Sequence, residues 1–330
     1  MSAQWNGFHS ALAPHIEQYL QVKRAMGCKF ATEDRQLRLL DHFLAAQGID
    51  RLEAIDPECL QAFLVSRQRT NPRSYNNLLG NVRRLFDWIV SQHLLPASPV
   101  QANAQPQTAR RLPFLFAQET IRQLLALCTA LPDNARAPLR GATYEMIFAL
   151  LATLGLRVGE VARLQWGDVD LEDEVLEITN TKFGKDRLVP FGPKLAARLR
   201  GYLERRQAQG YACTSTSFLF SWNGRTPIST NSIRNTLRED LLPQLALDVP
   251  PGVFGPHVHC LRHSFAVRTL VNWYRQGIAP ADRLHFLSTL LGHSNPASTA
   301  VYLTMTSELL EAANKRFEAL APLPAQEVAP

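Results

Sequence analysis

The sequence predicts a mainly helical α+β protein. Its parts are a helical amino-terminal domain over residues 1–100, a linker over 101–112, and a larger domain with a small β-sheet over 113–330. Three observations carry this. Apolar residues recur at helical spacing through most of the chain. Strand-like alternation is confined to residues 169–190. Between Ala97 and Leu112 the chain is rich in Pro, Gln, Ala and Thr and loses periodicity, as a linker does. With 330 residues there is room for two cores.

In order, helical spacing covers Ile16 to Met26, Gln36 to Ala46 and Leu60 to Val65. Val82, Leu85, Phe86, Ile89 and Val90 then fall at i, i+3, i+4, i+7 and i+8, one apolar face of an amphipathic helix, with Arg73, Arg83 and Arg84 near or on its polar side. Leu95-Pro96 ends this helix. The second domain opens with helices near Ala117 to Ala130 and Leu139 to Leu154, the latter stopped by Gly155. A strand over Val169 to Thr179 and a return strand over Arg187 to Pro190 flank a polar hairpin turn, Asn180 to Asp186. Pro193 suits the first turn of a helix to about Gln207. Further helices are expected near Thr230 to Leu242, Leu261 to Tyr274, Ala281 to Leu291 and Pro296 to Leu303. A last amphipathic segment carries Leu309, Leu310, Ala313 and Phe317.

Composition narrows the function. A 46% hydrophobic, 19% charged chain without a long apolar run or signal-like start reads as soluble, cytoplasmic and not membrane-bound. Five scattered cysteines without a CxxC point to neither a disulfide framework nor a thiolate zinc site. The net charge of +6 suits a polyanionic partner. The cations are 29 arginines and only 6 lysines. Arginine forks match phosphate oxygens bidentately, although a GC-rich genome favours arginine equally well.

The candidate chemistry lies in four boxes: Gly155-Leu156-Arg157-Val158-Gly159-Glu160, then His259-Cys260-Leu261-Arg262-His263, then Leu291-Gly292-His293, then Tyr302. Phosphodiester transfer needs a nucleophile, cations for the non-bridging oxygens, a proton for the leaving oxygen and an in-line geometry. Arg157 and Arg262 can supply the cations and never lose their protons. His259, three residues before Arg262, can exchange protons near neutrality. Tyr302 can attack, provided a base or cations assist its ionisation. The turn after His293 can fold it back toward Tyr302. Five of the nine histidines lie beyond Gly255, and His259-x-x-x-His263 also has metal-site spacing. Cys260 stands where zinc hydrolases carry glutamate, and Arg262 repels a divalent cation, so no metal is expected.

With these boxes the chain resembles the tyrosine recombinases, the phage integrase family, over nearly its whole length. The resemblance implies a core-binding (SAM-like) DNA-binding domain followed by a catalytic domain with a C-terminal helix that docks onto a neighbouring protomer. It implies that Tyr302 attacks a DNA phosphate to give a 3′-phosphotyrosine and a free 5′-hydroxyl, in a recombinase that integrates, excises or resolves a mobile element. Arg157, Arg262 and His293 hold the non-bridging oxygens, His259 handles the tyrosine proton, and Glu160 buttresses Arg157. The family lysine lies on a hairpin turn; Lys182 fits its place better than Lys185 and protonates the leaving oxygen. No cofactor is implied. The partners implied are double-stranded DNA and further recombinase subunits, as a homo-oligomer (a tetramer on DNA) or a mixed assembly with sister recombinases. A type IB topoisomerase-like relaxing enzyme and a catalytically silent DNA-binding accessory protein are the alternatives.

Overall fold

A computed structural model describes residues 7–69, 71–106, 111–179, 186–211, 213–293, 295 and 297–304. The chain divides into two compact units, residues 1–110 and 111–330.

Among the described residues the first unit holds four α-helices: α1 (Ala13–Ala25), α2 (Ala31–Ala46), α3 (Pro57–Ser66) and α4 (Pro72–Ser91). Proline starts α3 and α4, where its missing N–H costs nothing, and the preceding Asp56 and Asn71 cap them. The expected stripe on α4 is buried at Val82, Leu85, Phe86 and Ile89 and packs with Ile16, Leu40 and Phe63. Arg84 stays exposed, while Arg83 donates to the Ala102 carbonyl. The buried Asp41 carboxylate accepts from the amides of His9 and Ser10 and from the Ser10 hydroxyl, anchoring the segment before α1.

The second unit is built around α6 (Arg140–Leu154), buried on every side from Met146 to Ala152. A helix apolar all round must be central. Around it lie α5 (Gln118–Thr129), the short α7 (Val158–Arg163), α8 (Pro193–Ala208), α9 (Thr230–Asn235) and α10 (Val258–Arg275). Then follow α11 (Pro280–Leu291) and α12 (Ala297–Ala300), the last continued by a 3₁₀ turn over Val301–Thr304. Leu112 pairs with Val253 and belongs to this unit.

Two expected elements are divided. The strand foreseen over Val169 to Thr179 is two: β1 (Val169–Asp170) and β2 (Val175–Ile178). The Asp170 carboxylate accepts from the amides of Glu172 and Asp173 and closes a turn between them. β3 (Arg187–Pro190) completes an antiparallel sheet of order β1-β2-β3, with Leu176 opposite Val189 and Ile178 opposite Arg187. The helix expected over Thr230 to Leu242 stops at Asn235 and widens to a π-helix over Thr236–Leu241. Pro243 follows, and its ring and missing N–H disfavour a continued α ladder there.

Candidate active site

Gly155 ends α6 with φ +63°, and a Cβ there would run into the Phe265 and Leu291 side chains. This left-handed turn lets the chain reverse within three residues and start α7 with Arg157 as its N-cap. Three residues on, the Glu160 carboxylate reaches back, accepting from the Arg157 amide at 2.8 Å and from Arg157 Nη1 at 2.7 Å. The Gly-Leu-Arg-x-x-Glu spacing is thus a helix-start device that also orients the arginine.

Glu160 is buried and touches a second arginine. Arg187 Nη1 and Nη2 donate to its two oxygens at 3.1 and 2.9 Å. Burial alone would raise the Glu160 carboxyl, but hydrogen bonds and charge from Arg187 and then Arg157 prevail and bring it down to about 2. It is ionised throughout the neutral range.

Arg262 lies on α10 and is only 1% exposed. Nη1 donates to the Gly155 carbonyl at 2.7 Å and Nη2 to the Leu291 carbonyl at 2.5 Å. Burial and the neighbouring Arg157 lower it to about 10, so it stays charged at neutral pH. Among the described residues its Nε meets no acceptor, although it is buried. A buried donor of this kind is costly unless something fills its bond.

His259 and His263 stand one turn apart on α10, with ring centroids at 4.6 Å in an edge-to-face pair. His263 Nδ1 lies 3.0 Å from the phenol oxygen of Tyr302, which is 3% exposed. It is therefore His263 that meets the phenol, with the His259 ring next to that of His263. Desolvation, and then the charges of His263, Arg262, His257 and Arg157, hold His259 well below its ordinary range. Because this residue also opens to solvent, water screens part of that effect, and the ring is neutral at neutral pH.

Gly292 ends α11 in the left-handed region and turns the chain into His293. His293 Nδ1 is 2.7 Å from the Thr299 hydroxyl, and its ring lies nearly parallel to that of Tyr302 with centroids 6.4 Å apart. Burial, then Arg262, Arg157 and Arg187, push His293 down to about 4.

The fold thus gathers Arg157, Glu160, Arg262, His259, His263, His293 and Tyr302 from α7, α10, the end of α11 and the turn after α12. Lys182 and Lys185, and the last amphipathic segment with Leu309 and Phe317, lie outside the described residues. Among the described residues no group of three or more His, Cys, Asp or Glu could hold a metal, and no helix is long and apolar enough to cross a membrane. Sequence reasoning assigned no role to Arg187, Thr299 or the backbone carbonyls that hold the arginines. Arg187 had one visible signal, its place directly after the lysine-bearing turn.

A model of the phage integrase family matches residues 115–308. The integrase/recombinase y4rB of Sinorhizobium fredii is 33% identical over 304 residues, covering 92% of this chain and 96% of that protein. Tyrosine recombinase XerC of Xanthomonas campestris is 29% identical over 298 residues, covering 89% of this chain and 83% of that protein. Among solved structures, the Tn1549 transposon integrase in complex with a circular intermediate DNA aligns with TM-score 0.63 at 19% identity, covering 93% of this chain and 99% of that one. A lambda integrase dimer bound to a core site aligns with TM-score 0.62 at 17% identity, covering 88% and 76%. The chain belongs to the phage integrase family. It is a tyrosine recombinase, an enzyme of DNA strand breakage and rejoining.

Proposed function

We propose that Tyr302 is the nucleophile of site-specific recombination and that the residues around it divide the labour as follows. The carrying observation is the 3.0 Å contact between the Tyr302 phenol and His263 Nδ1 beside the Arg157 and Arg262 guanidiniums. The phenol oxygen attacks the scissile phosphorus while its proton passes to His263. His259, neutral beside that ring, supports the transfer. Arg157 and Arg262 neutralise the non-bridging oxygens, and a phosphate oxygen provides the acceptor that buried Arg262 Nε otherwise lacks. His293 donates to the same phosphate. Glu160 holds Arg157 in place. The P–O5′ bond breaks, Lys182 supplies the proton to the departing 5′-oxygen, and a 3′-phosphotyrosine remains. The 5′-hydroxyl of a second strand reverses the step and rejoins the backbone. The ester conserves the bond energy, so no cofactor enters.

The substrate is duplex DNA. The amino-terminal unit serves as the core-binding domain, and residues 113 onward form the catalytic domain. Strand exchange needs several protomers; a lambda integrase tetramer bound to a Holliday junction shares this fold at TM-score 0.61. The role is integration, excision or resolution of a mobile element, a reading supported by the similarity to the y4rB integrase/recombinase.

Covalent capture tests this reading. Wild-type protein is mixed with a pool of randomised nicked duplexes, and adducts are recovered from denaturing gels. Protease-sensitive adducts converging on one sequence are expected, and Tyr302→Phe yields none while binding the selected duplex within about threefold of wild type, since it loses a hydroxyl needed only for the chemical step. Absence of any wild-type adduct, or an adduct with the phenylalanine variant, overturns it.

A further inference from the structure

Three guanidiniums lean on one helix end. Arg187 Nε donates to the Leu290 carbonyl at 2.8 Å, Arg262 Nη2 to Leu291 at 2.5 Å and Arg157 Nη2 to Gly292 at 2.6 Å. The first two of these carbonyls belong to the last turn of α11 and the third to its C-cap; such groups have no acceptor role left inside the helix and carry the negative end of its dipole. One carboxylate, Glu160, is added. The packing is close: a Cβ on Gly292 would stand 2.8 Å from Arg187 Nη1 and 3.3 Å from Arg157 Nη1.

Arg187 differs from the other two. Strand alternation puts it on the inner face of β3 with Val189, while Leu188 points out. Its side chain is 6% exposed, and all three of its nitrogens are engaged by protein oxygens. It grips Glu160 with both Nη groups, a fork-to-fork pair, whereas Arg157 has a single side-chain contact to that carboxylate.

We propose that Arg187 is a positioning residue for Arg157, acting through Glu160. By gripping both carboxylate oxygens it fixes the plane of Glu160, so that Oε1 meets Arg157 Nη1 in one orientation. The Arg157 guanidinium then stays turned toward the reacting phosphate. Without the Arg187 fork, the Glu160 carboxylate turns and Arg157 loses the fixed partner that orients it. This inference rests on Arg157 being a donor to the non-bridging oxygens.

The test compares two substrates. Arg187→Lys keeps the charge and loses the fork. On the captured duplex, single-turnover cleavage is expected to fall about 100-fold, the scale of a catalytic group misplaced by an ångström. On the same duplex with a methylphosphonate at the scissile position, one anionic oxygen is gone and Arg157 has less charge to neutralise. There the variant should fall less than about fivefold below wild type. Equal losses on both substrates mean a merely structural role and overturn the proposal, as does cleavage close to wild type on the ordinary phosphate. If circular dichroism shows that the lysine variant does not fold, Glu160→Gln, which weakens the same grip, decides by the same ratio. A wild-type protein that forms no adduct removes the functional reading and this proposal with it; wild-type cleavage with unequal variant losses keeps the two apart.

Discussion

The two halves of the site are held by opposite means. The cationic half, Arg157, Arg187 and Arg262 with Glu160, is fixed by charge-assisted bonds to a carboxylate and to backbone carbonyls. The nucleophile half, His259, His263, His293 and Tyr302, is held by ring contacts and by hydrogen bonds between side chains, and its tyrosine sits on a single 3₁₀ turn. Charge that must be ready before the reaction is built into the framework. On the nucleophile side, His293 and Tyr302 sit on the short segments after α11, while His259 and His263 share α10 with Arg262. The low-lying His293 fits beside the framework: burial first, and then three nearby arginines, make a protonated imidazole unfavourable, so the ring donates without carrying charge.

The comparison is broken most severely at Arg262. In Arg262→Ala the buried Gly155 and Leu291 carbonyls lose their donors, and a cavity opens beside them. We expect a stability loss of about 3 kcal/mol in urea melts. Cleavage of the captured duplex should fall roughly 1,000-fold at a temperature where the variant is folded. Loss of cleavage without loss of stability would place Arg262 outside the framework and make it a substrate contact only.

On the nucleophile side the matching change is His263→Asn. Asparagine can still hydrogen-bond the phenol but takes up no proton. Cleavage should fall roughly 100-fold, the usual scale of a general base. Added imidazole should restore part of it to His263→Ala. Unchanged melts with lost cleavage would set this half apart from Arg262. If His259→Asn shows the larger loss and the imidazole response, the proton passes to His259 instead, as the sequence alone suggested.

The same contrast explains what the sequence could convey. The four boxes are local patterns, and the helix-start geometry of Arg157 and Glu160 follows from three-residue spacing within one turn. The stripe of α4 and the all-round apolar α6 were equally legible, since periodicity reports which faces are buried. The clamp of three arginines on α11 was not. Its bonds join residues 103, 135 and 29 positions apart, and backbone carbonyls leave no signature in a sequence. Arg187 read as a strand residue after a turn, and only the sheet register turned it inward. His263 was visible in its box, yet helical spacing alone could not decide which histidine meets Tyr302. Asp170 hid a turn inside what read as one strand, because a side chain capping two amides overrides alternation.

The smallest effect lies in acid. His293 is pushed from about 6.5 in the unfolded chain to about 4 in the fold, so between these values the unfolded state binds the extra proton. The stability tied to the neutral ring is complete above pH 6.5 and is lost as pH falls toward 4. Because the half-buried ring is partly screened by solvent, the slope should stay below about 1.4 kcal/mol per pH unit. Glu160 follows in a lower window: its ionised form stabilises the fold above about pH 4.5, and that contribution is lost as pH falls toward 2. Urea midpoints at pH 7, 5.5 and 4.5 should therefore decline in wild type and decline less in His293→Gln, while the two proteins lose stability in parallel below pH 4. If the variant keeps the full slope between pH 7 and 4.5, neither burial nor the arginine framework holds the imidazole down, and the decline belongs to other groups.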